Sequence, residues 1–338
     1  MVPMARLSSQ FVSRVHQRAR DAVAALPAVS LGRYPTAVEE LTRLRAALGS
    51  GPRLLVKRDD AIPFALGGNK VRKLELVLAE AKAQNADTLV TCGGVHSNHA
   101  RVTAAAAARM GLACRLIING QRPEHPTGNA RLHELTGATI EYVPDRAARV
   151  PAMERAVEQL RAQGKRPYAV PLGASTPLGA LGYVRAVGEL VSQGLVPDAI
   201  VVATSSGGTL AGLLAGVELH TLATRVIGIS ADDPAASIAA GVRGILDGMA
   251  PLLGLDTPPA AGLTIEVDDS FVGEGYGIST PVSTEALELT ARTEGLFLDP
   301  TYTAKAMAAL ISYVRTGRFR GDETVLFWHT GGQVELVG

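Results

Sequence analysis

The chain has 338 residues, 47% hydrophobic and 19% charged, which supplies apolar material for a large core and excludes a disordered chain. Lys+Arg of 33 against Asp+Glu of 32 leaves a net charge of +1, and aromatic residues make up 4%, so the basic excess and stacking residues of a nucleic-acid binder are missing. Two cysteines, Cys92 and Cys114, cannot build a disulfide scaffold or a four-ligand zinc site, and 36 glycines without a Gly-X-Y period exclude collagen.

Residues 5–20 carry Arg6, Arg14, Arg18 and Arg20 and no acid, interleaved with Phe11, Val12 and Val15. The pattern fits an amphipathic surface helix of a cytoplasmic enzyme, with a transit peptide as the other reading; no compact apolar h-region marks a secretory signal. Residues 54–57 read as a strand, followed by a Pro/Gly-rich turn and a helix from about Lys70. A short apolar run at 88–91 leads through Gly93-Gly94 into an Ala-rich helix over 100–110. Further strands are expected at 114–118, 139–143 and 169–171, with a helix over 127–135 and another ending near Gln193. A buried strand at 199–203 runs into a Gly-rich turn and a helix over 210–222, and 226–230 and 324–329 complete the set. The uncharged stretch 199–217 is long enough to be weighed as a membrane span, but the turn at 204–209 divides it into strand, loop and helix. Residues 231–262, rich in Ala, Pro and Gly, read as an irregular excursion. Strands alternating with helices predict an α/β fold with largely parallel sheets, which bind ligands beyond the carboxyl ends of their strands.

Gly67-Gly68-Asn69-Lys70 opens a helix whose apolar face is Val71, Leu74, Leu78 and Ala81. A lysine in the first helical turn sits in the partial positive charge of the helix N-terminus, which favours the neutral, nucleophilic amine. A turn followed by a solvated lysine fits the same residues. Ser205-Ser206-Gly207-Gly208-Thr209 joins a strand to a helix and offers backbone N–H groups and hydroxyls to a phosphate monoester, or else is a tight turn. It lacks the Walker lysine and the G-x-G-x-x-G pattern of nucleotide sites. His96-Ser97-Asn98-His99 places hydroxyl, amide and backbone donors at a helix start, where a carboxylate is welcome. A third metal ligand and the G-x-S-x-G elbow of a serine hydrolase are both missing. Tyr276 and Tyr302 each stand beside a turn, and a phenol there can serve as acid or base if its pKa is lowered.

In order and spacing these segments, from Lys57-Arg58-Asp59-Asp60 to His329-Thr330-Gly331-Gly332, resemble the fold type II pyridoxal-phosphate enzymes over about residues 33–332. The most similar group holds D-cysteine desulfhydrase and 1-aminocyclopropane-1-carboxylate deaminase, with L-cysteate sulfo-lyase beside them. The resemblance implies two open, mostly parallel sheets flanked by helices, as in the tryptophan synthase β subunit. A large domain (1–72 and 184–338) and a small one (73–183) would hold the cofactor between them. It implies that Lys70 carries pyridoxal 5'-phosphate, that Asn98 touches the 3′-oxygen and that residues 205–209 hold the phosphate. Ser97 with its neighbours His96, Asn98 and His99 would hold the substrate carboxylate. Tyr276 and Tyr302 would face the substrate, and Thr330 would lie near the pyridine nitrogen. Two positions depart from the family pattern: Thr303 stands where the deaminase has a glutamate, and His96 where glutamine is common. A hydroxyl at Thr303 makes a weaker electron sink than a carboxylate, which favours β-elimination over cyclopropane opening. The expected reaction is conversion of D-cysteine to pyruvate, sulfide and ammonia in a cytoplasmic homodimer, with a non-catalytic cofactor binder as the alternative from another class.

Overall fold

Strands and helices alternate through most of the chain in its computed structural model, which describes residues 4–49 and 51–337, residues 4–11 as backbone alone. In chain order the first elements are α1 (Met4–Ala25), β1 (Val38–Glu40), α2 (Thr42–Ala47), β2 (Arg53–Arg58), α3 (Lys70–Ala83), β3 (Thr88–Gly94), α4 (Asn98–Met110) and β4 (Ala113–Asn119). Next come α5 (Gly128–Leu135), β5 (Thr139–Val143), α6 (Arg149–Ala162), β6 (Pro167–Val170), α7 (Pro177–Ser192), β7 (Ala199–Thr204) and α8 (Gly208–Leu219). The last are β8 (Arg225–Ser230), α9 (Ala235–Leu253), β9 (Glu266–Asp268), α10 (Pro281–Glu294), α11 (Thr303–Arg315) and β10 (Thr324–His329).

These strands form two sheets, one of six strands in the order β1-β2-β10-β7-β8-β9 and one of four in the order β5-β4-β3-β6. Every pairing is parallel except β1 with β2, at one edge of the larger sheet. Strand β7 explains why its sequence is an unbroken apolar run. Ile200 and Val202 pack among α7, α8 and α9, whereas Val201 and Ala203 pack against α11, so neither face meets water. The smaller sheet is covered in the same way. Leu89, Leu116 and Ile118 face α3 and α4, while Val90, Cys92 and Ile117 face α6. Both cysteines are buried and free, and burial pushes the Cys114 thiol up to about 12.

Residues 231–262 are more ordered than their composition suggests. Ala235–Leu253 is one helix, α9, despite Gly241, Gly244, Gly248 and Pro251. Ile238, Val242, Ile245, Leu246, Met249 and Leu253 recur at helical spacing and are buried in the larger core, and that burial outweighs the low propensity of three glycines. The helix is also long and apolar enough to cross a membrane by composition, but most of its large apolar residues pack into the core, Leu252 being the exposed one. The N-terminal segment is a helix as expected: Ala19 and Val23 of α1 are buried against the core and Val12 is exposed, while the side chains of Arg6 and Phe11 lie outside the described residues.

Behind the start of α3, Asp59 is fully buried and accepts five hydrogen bonds. They come from Arg72 Nε (2.9 Å) and Nη2 (2.8 Å), the Tyr183 hydroxyl (2.7 Å), Trp328 Nε1 (2.8 Å) and Thr36 Oγ1 (3.0 Å). Arg72 also reaches Glu189, which in turn pairs with buried Lys57 at 2.5 Å. The cluster ties β2, α3, α7 and β10 together and fixes the helix that begins at Lys70.

Candidate active site

The carboxyl ends of β3, β4, β7 and β10 face one cleft, about 880 Å³ with its open mouth included. Asn69, Lys70, Lys73, Ser97, Asn98, His99, residues 203–209, Tyr276, Tyr302 and Thr330 line it. The chain therefore brings together in one cleft groups far apart in sequence, such as Lys70 and Thr330, 260 residues apart.

Lys70 is the first residue of α3. Its position depends on the close approach of two loops. Gly68 lies so near the segment after β10 that an added Cβ would meet the Thr330 carbonyl oxygen at 3.0 Å, and Asn69 N–H donates to the same carbonyl at 3.0 Å. The Lys70 amine donates to Asn69 Oδ1 at 3.0 Å. Burial is the main force that lowers it, to about 8; Arg101 adds to the lowering and Asp299 opposes it.

The loop after β7 forms a cradle with contributions from two other elements. The Gly208 N–H donates to Ser175 Oγ at 3.2 Å, Ser175 Oγ lies 2.8 Å from Ser206 Oγ, and Lys73 Nζ donates to Ser175 Oγ at 3.1 Å. Asn69 Nδ2 donates to Thr209 Oγ1 at 3.0 Å. An added Cβ at Gly208 would fall 2.6 Å from Ser175 Oγ, so only a glycine lets the start of α8 approach this hydroxyl cluster. Ser205 points elsewhere, to Asp232 Oδ2 at 3.2 Å. Lys73 and Ser175 were absent from the sequence-based site. Lys73 is buried, and among the described residues no carboxylate lies within ion-pair distance of it. The readable signal was the i, i+3 spacing, which puts Lys70 and Lys73 on one face of α3.

Ser97 caps α4, its Oγ accepting from Ala100 N–H at 3.1 Å. Asn98 Oδ1 accepts from Arg101 Nη1 (2.8 Å) and Asn129 Nδ2 (3.2 Å), which leaves the Asn98 NH₂ as the free end of the amide. Thr91 Oγ1 gives its proton to the Val170 carbonyl (2.7 Å), so His99 Nε2, 2.7 Å away, is the donor to Thr91. Burial, then Lys70 and Lys73, hold His99 well below the usual histidine range and keep it neutral.

Tyr276 and Tyr302 line the same cleft, their hydroxyls 2.7 Å apart and their rings edge to face at 5.7 Å. Burial raises both phenols, Tyr302 well above 10, so the pair holds its protons and stands as an acid, not as the base a lowered pKa would have made it.

Two expected site residues lie outside this cleft. The Thr303 hydroxyl is fully buried and bonded to Asp299 Oδ1 at 2.6 Å, because Asp299 collects the first N–H groups of α11 from Tyr302 and Thr303. The His96 side chain is 57% exposed and turned to Glu335, 3.4 Å away, because the Gly94–Ser97 turn swings it off the cleft. Neither lines the cavity. Burial and Asp299 raise Glu335 to about 7.

The fold and the cleft define a pyridoxal-phosphate enzyme of fold type II. The chain belongs to the family described as "Pyridoxal-phosphate dependent enzyme", whose model matches residues 29–331. It is 39% identical over 320 residues to D-cysteine desulfhydrase of Salmonella typhi, covering 92% of this chain and 95% of that one. It is 38% identical over 327 residues to D-cysteine desulfhydrase of Yersinia enterocolitica, covering 93% and 96%. A solved structure described as an ACC deaminase homologue superposes with a TM-score of 0.87 at 34% identity, covering 95% and 96%. A pyridoxal 5'-phosphate-dependent aspartate racemase shares the fold alone, with a TM-score of 0.66 at 17% identity.

The residues present fit the cofactor. The glycine-lined hydroxyl cluster with Lys73 suits a phosphate dianion. Three buried polar atoms of cavity-lining residues, His99 Nδ1, Asn119 Oδ1 and Thr204 Oγ1, have no hydrogen-bond partner among the described residues.

Proposed function

We propose that this enzyme catalyses α,β-elimination from a small amino acid bearing a thiol on Cβ, D-cysteine first among them, with pyruvate, sulfide and ammonia as products. The observation that carries the reading is the gathering of the Lys70 amine and the paired Tyr276 and Tyr302 hydroxyls, 2.7 Å apart, in one cleft; burial lowers the amine and keeps the phenols protonated. An amine near 8 is partly neutral at pH 7 and can take a proton, and a protonated phenol pair in the same cleft can give one.

In this reading Lys70 would anchor the cofactor, and Lys73, Ser206, Thr209 and the Gly208 N–H would hold its phosphate. Asn98 would offer its NH₂ to the ring oxygen, and Thr330 would serve the ring nitrogen. The bound cofactor supplies the electron sink that makes the substrate α-proton acidic. Lys70 Nζ takes that proton. Ser97 and the start of α4 orient the carboxylate. Tyr276 or Tyr302 gives a hydroxyl proton to the departing sulfur, and the other phenol keeps the first aligned. His96 and Thr303 have no direct role. The division into residues 1–72 with 184–338 and residues 73–183, a homodimeric assembly and a cytoplasmic setting belong to the same proposal; the two separate sheets and the two unpaired, buried cysteines support it.

The test is a spectrum of the purified protein followed by pyruvate and sulfide assays over a panel of D- and L-amino acids and 1-aminocyclopropane-1-carboxylate. D-Cysteine is expected to give both products. Formation of 2-oxobutanoate from the cyclopropane, with no sulfide from cysteine, overturns the choice of reaction. A coloured protein inert to every amino acid overturns catalysis itself.

A further inference from the structure

Lys305 is buried without an acidic partner. It lies in the first turn of α11, three residues after Tyr302, and is fully buried. Its amine donates to three backbone carbonyls, those of Ala231 (3.1 Å), Val272 (2.8 Å) and Gly275 (2.7 Å). Those three bonds use the three protons of an ammonium. Among the described residues no carboxylate lies within ion-pair distance of it, so the charge is held by carbonyl dipoles.

The three carbonyls belong to two loops at the cleft. Ala231 precedes Asp232 and Gly275 precedes Tyr276, and both following residues line the cavity. The segment from 269 to 280 has little backbone bonding of its own: Val272 N–H reaches Asp269 at 3.3 Å and Ile278 N–H reaches Gly275 at 3.4 Å. Tyr276 nevertheless has to place its hydroxyl 2.7 Å from that of Tyr302. One turn of α11 therefore grips Tyr276 at both ends, its hydroxyl through Tyr302 and its backbone through Lys305.

We propose that Lys305 is a positioning residue for the reaction, an internal ammonium that clamps the 272–275 carbonyls and so keeps the Tyr276 hydroxyl paired with Tyr302 and facing the substrate. The proposal rests on the reading of Tyr276 as a substrate-facing acid. It predicts a loss in kcat with KM little changed, because the clamp serves the orientation of the acid and touches neither carboxylate nor phosphate. Misplacing a reacting group by about 1 Å costs on the order of 100-fold.

The experiment is a double-mutant cycle on the holoenzyme with Lys305→Met, Tyr276→Phe and both together, with hydrogen exchange of the 271–277 amides as a second readout. Lys305→Met is expected to keep the cofactor absorbance, lose about 10–100-fold in kcat and exchange those amides faster. The double variant is expected to be no slower than the slower single one, since the clamp acts through Tyr276. Multiplying losses, or Lys305→Met at the wild-type rate with slow exchange, overturn the clamp and leave Tyr276 in place. Tyr276→Phe at the wild-type rate removes the reading beneath the proposal, and the clamp falls with it. If Lys305→Met does not fold, Lys305→Gln, which keeps two of the three donors, is to show the same kcat loss in milder form, and a full rate in that variant overturns the proposal.

Discussion

Arg101 Nη1 lies 2.8 Å from Asn98 Oδ1, one turn earlier on α4. The same guanidinium bonds Asn129 Oδ1 at 2.8 Å and the Gly67 carbonyl at 3.0 Å. It thus links the helix that carries Asn98 to the loop that precedes Lys70. An amide has two ends, and Arg101 decides which one Asn98 shows to the cleft.

Removing that constraint is expected to weaken the cofactor more than it weakens the fold. In Arg101→Met, Asn98 keeps one partner, Asn129, and can turn its oxygen toward the ring oxygen. Leaving a buried group unsatisfied costs about 1–3 kcal/mol, or roughly 10–100-fold in cofactor affinity. Titrating the apoenzyme with pyridoxal phosphate by visible absorbance checks this. An unchanged Kd would mean that Arg101 does not orient Asn98.

The lowered pKa of Lys70 carries its own signature. With the amine near 8, its neutral fraction rises about tenfold per pH unit below that value and levels off above it. Carbamylation of Lys70 by cyanate in the apoenzyme, followed by mass spectrometry, is expected to track this curve. Asp299 stabilises the charged amine, so Asp299→Asn is to move the midpoint down. Arg101 opposes the charge, so Arg101→Met is to move it up. A midpoint near that of a free lysine would show that burial does not tune this group.

The parts of the site that were legible in sequence are those confined to one turn. Residues 67–70 close a turn region and 205–209 follow a strand, and both open a helix, so their glycines and hydroxyls announced themselves locally. Ser175 was not legible, and Lys73 only through its i, i+3 spacing from Lys70, because their meeting with Gly208 depends on α3, the loop after β6 and α8 converging in space. The setting of Thr303 was hidden for a related reason. That residue directly follows Tyr302, but Asp299 turns its hydroxyl back into the helix start. The fold shows the same split: long apolar runs such as 199–203 gave their strands, whereas β1 and β9, three residues each at the edges of the larger sheet, carry no periodicity to read.

The buried charges behind Lys70 are expected to govern stability. Arg72→Met leaves Asp59 ionised and fully buried with three neutral donors in place of its cationic partner. Breaking a buried pair from one side costs about 3–5 kcal/mol. Tyr183→Phe removes one neutral donor and is expected to cost about 1–2 kcal/mol. Guanidinium denaturation of the two variants should rank them in that order. Equal midpoints would mean that the carboxylate is held by its neutral donors alone.

Glu335 gives the pH dependence its sign. Its carboxyl is raised to about 7 by burial and by Asp299, against an ordinary value of 4.5. Between those two values the folded chain holds a proton that the unfolded chain has released. Stability therefore falls as pH rises through this window, and the loss is complete above 7. The ceiling is about 3 kcal/mol, reduced by whatever His96, 3.4 Å away and largely in water, returns once Glu335 ionises. Glu335→Gln removes the titration. The difference in unfolding free energy between wild type and Glu335→Gln, measured at pH 5 and pH 8, is expected to shift in favour of the variant at the higher pH. A pH-independent difference would place the Glu335 carboxyl in its ordinary range, and its contact with Thr301 would then be a solvated one.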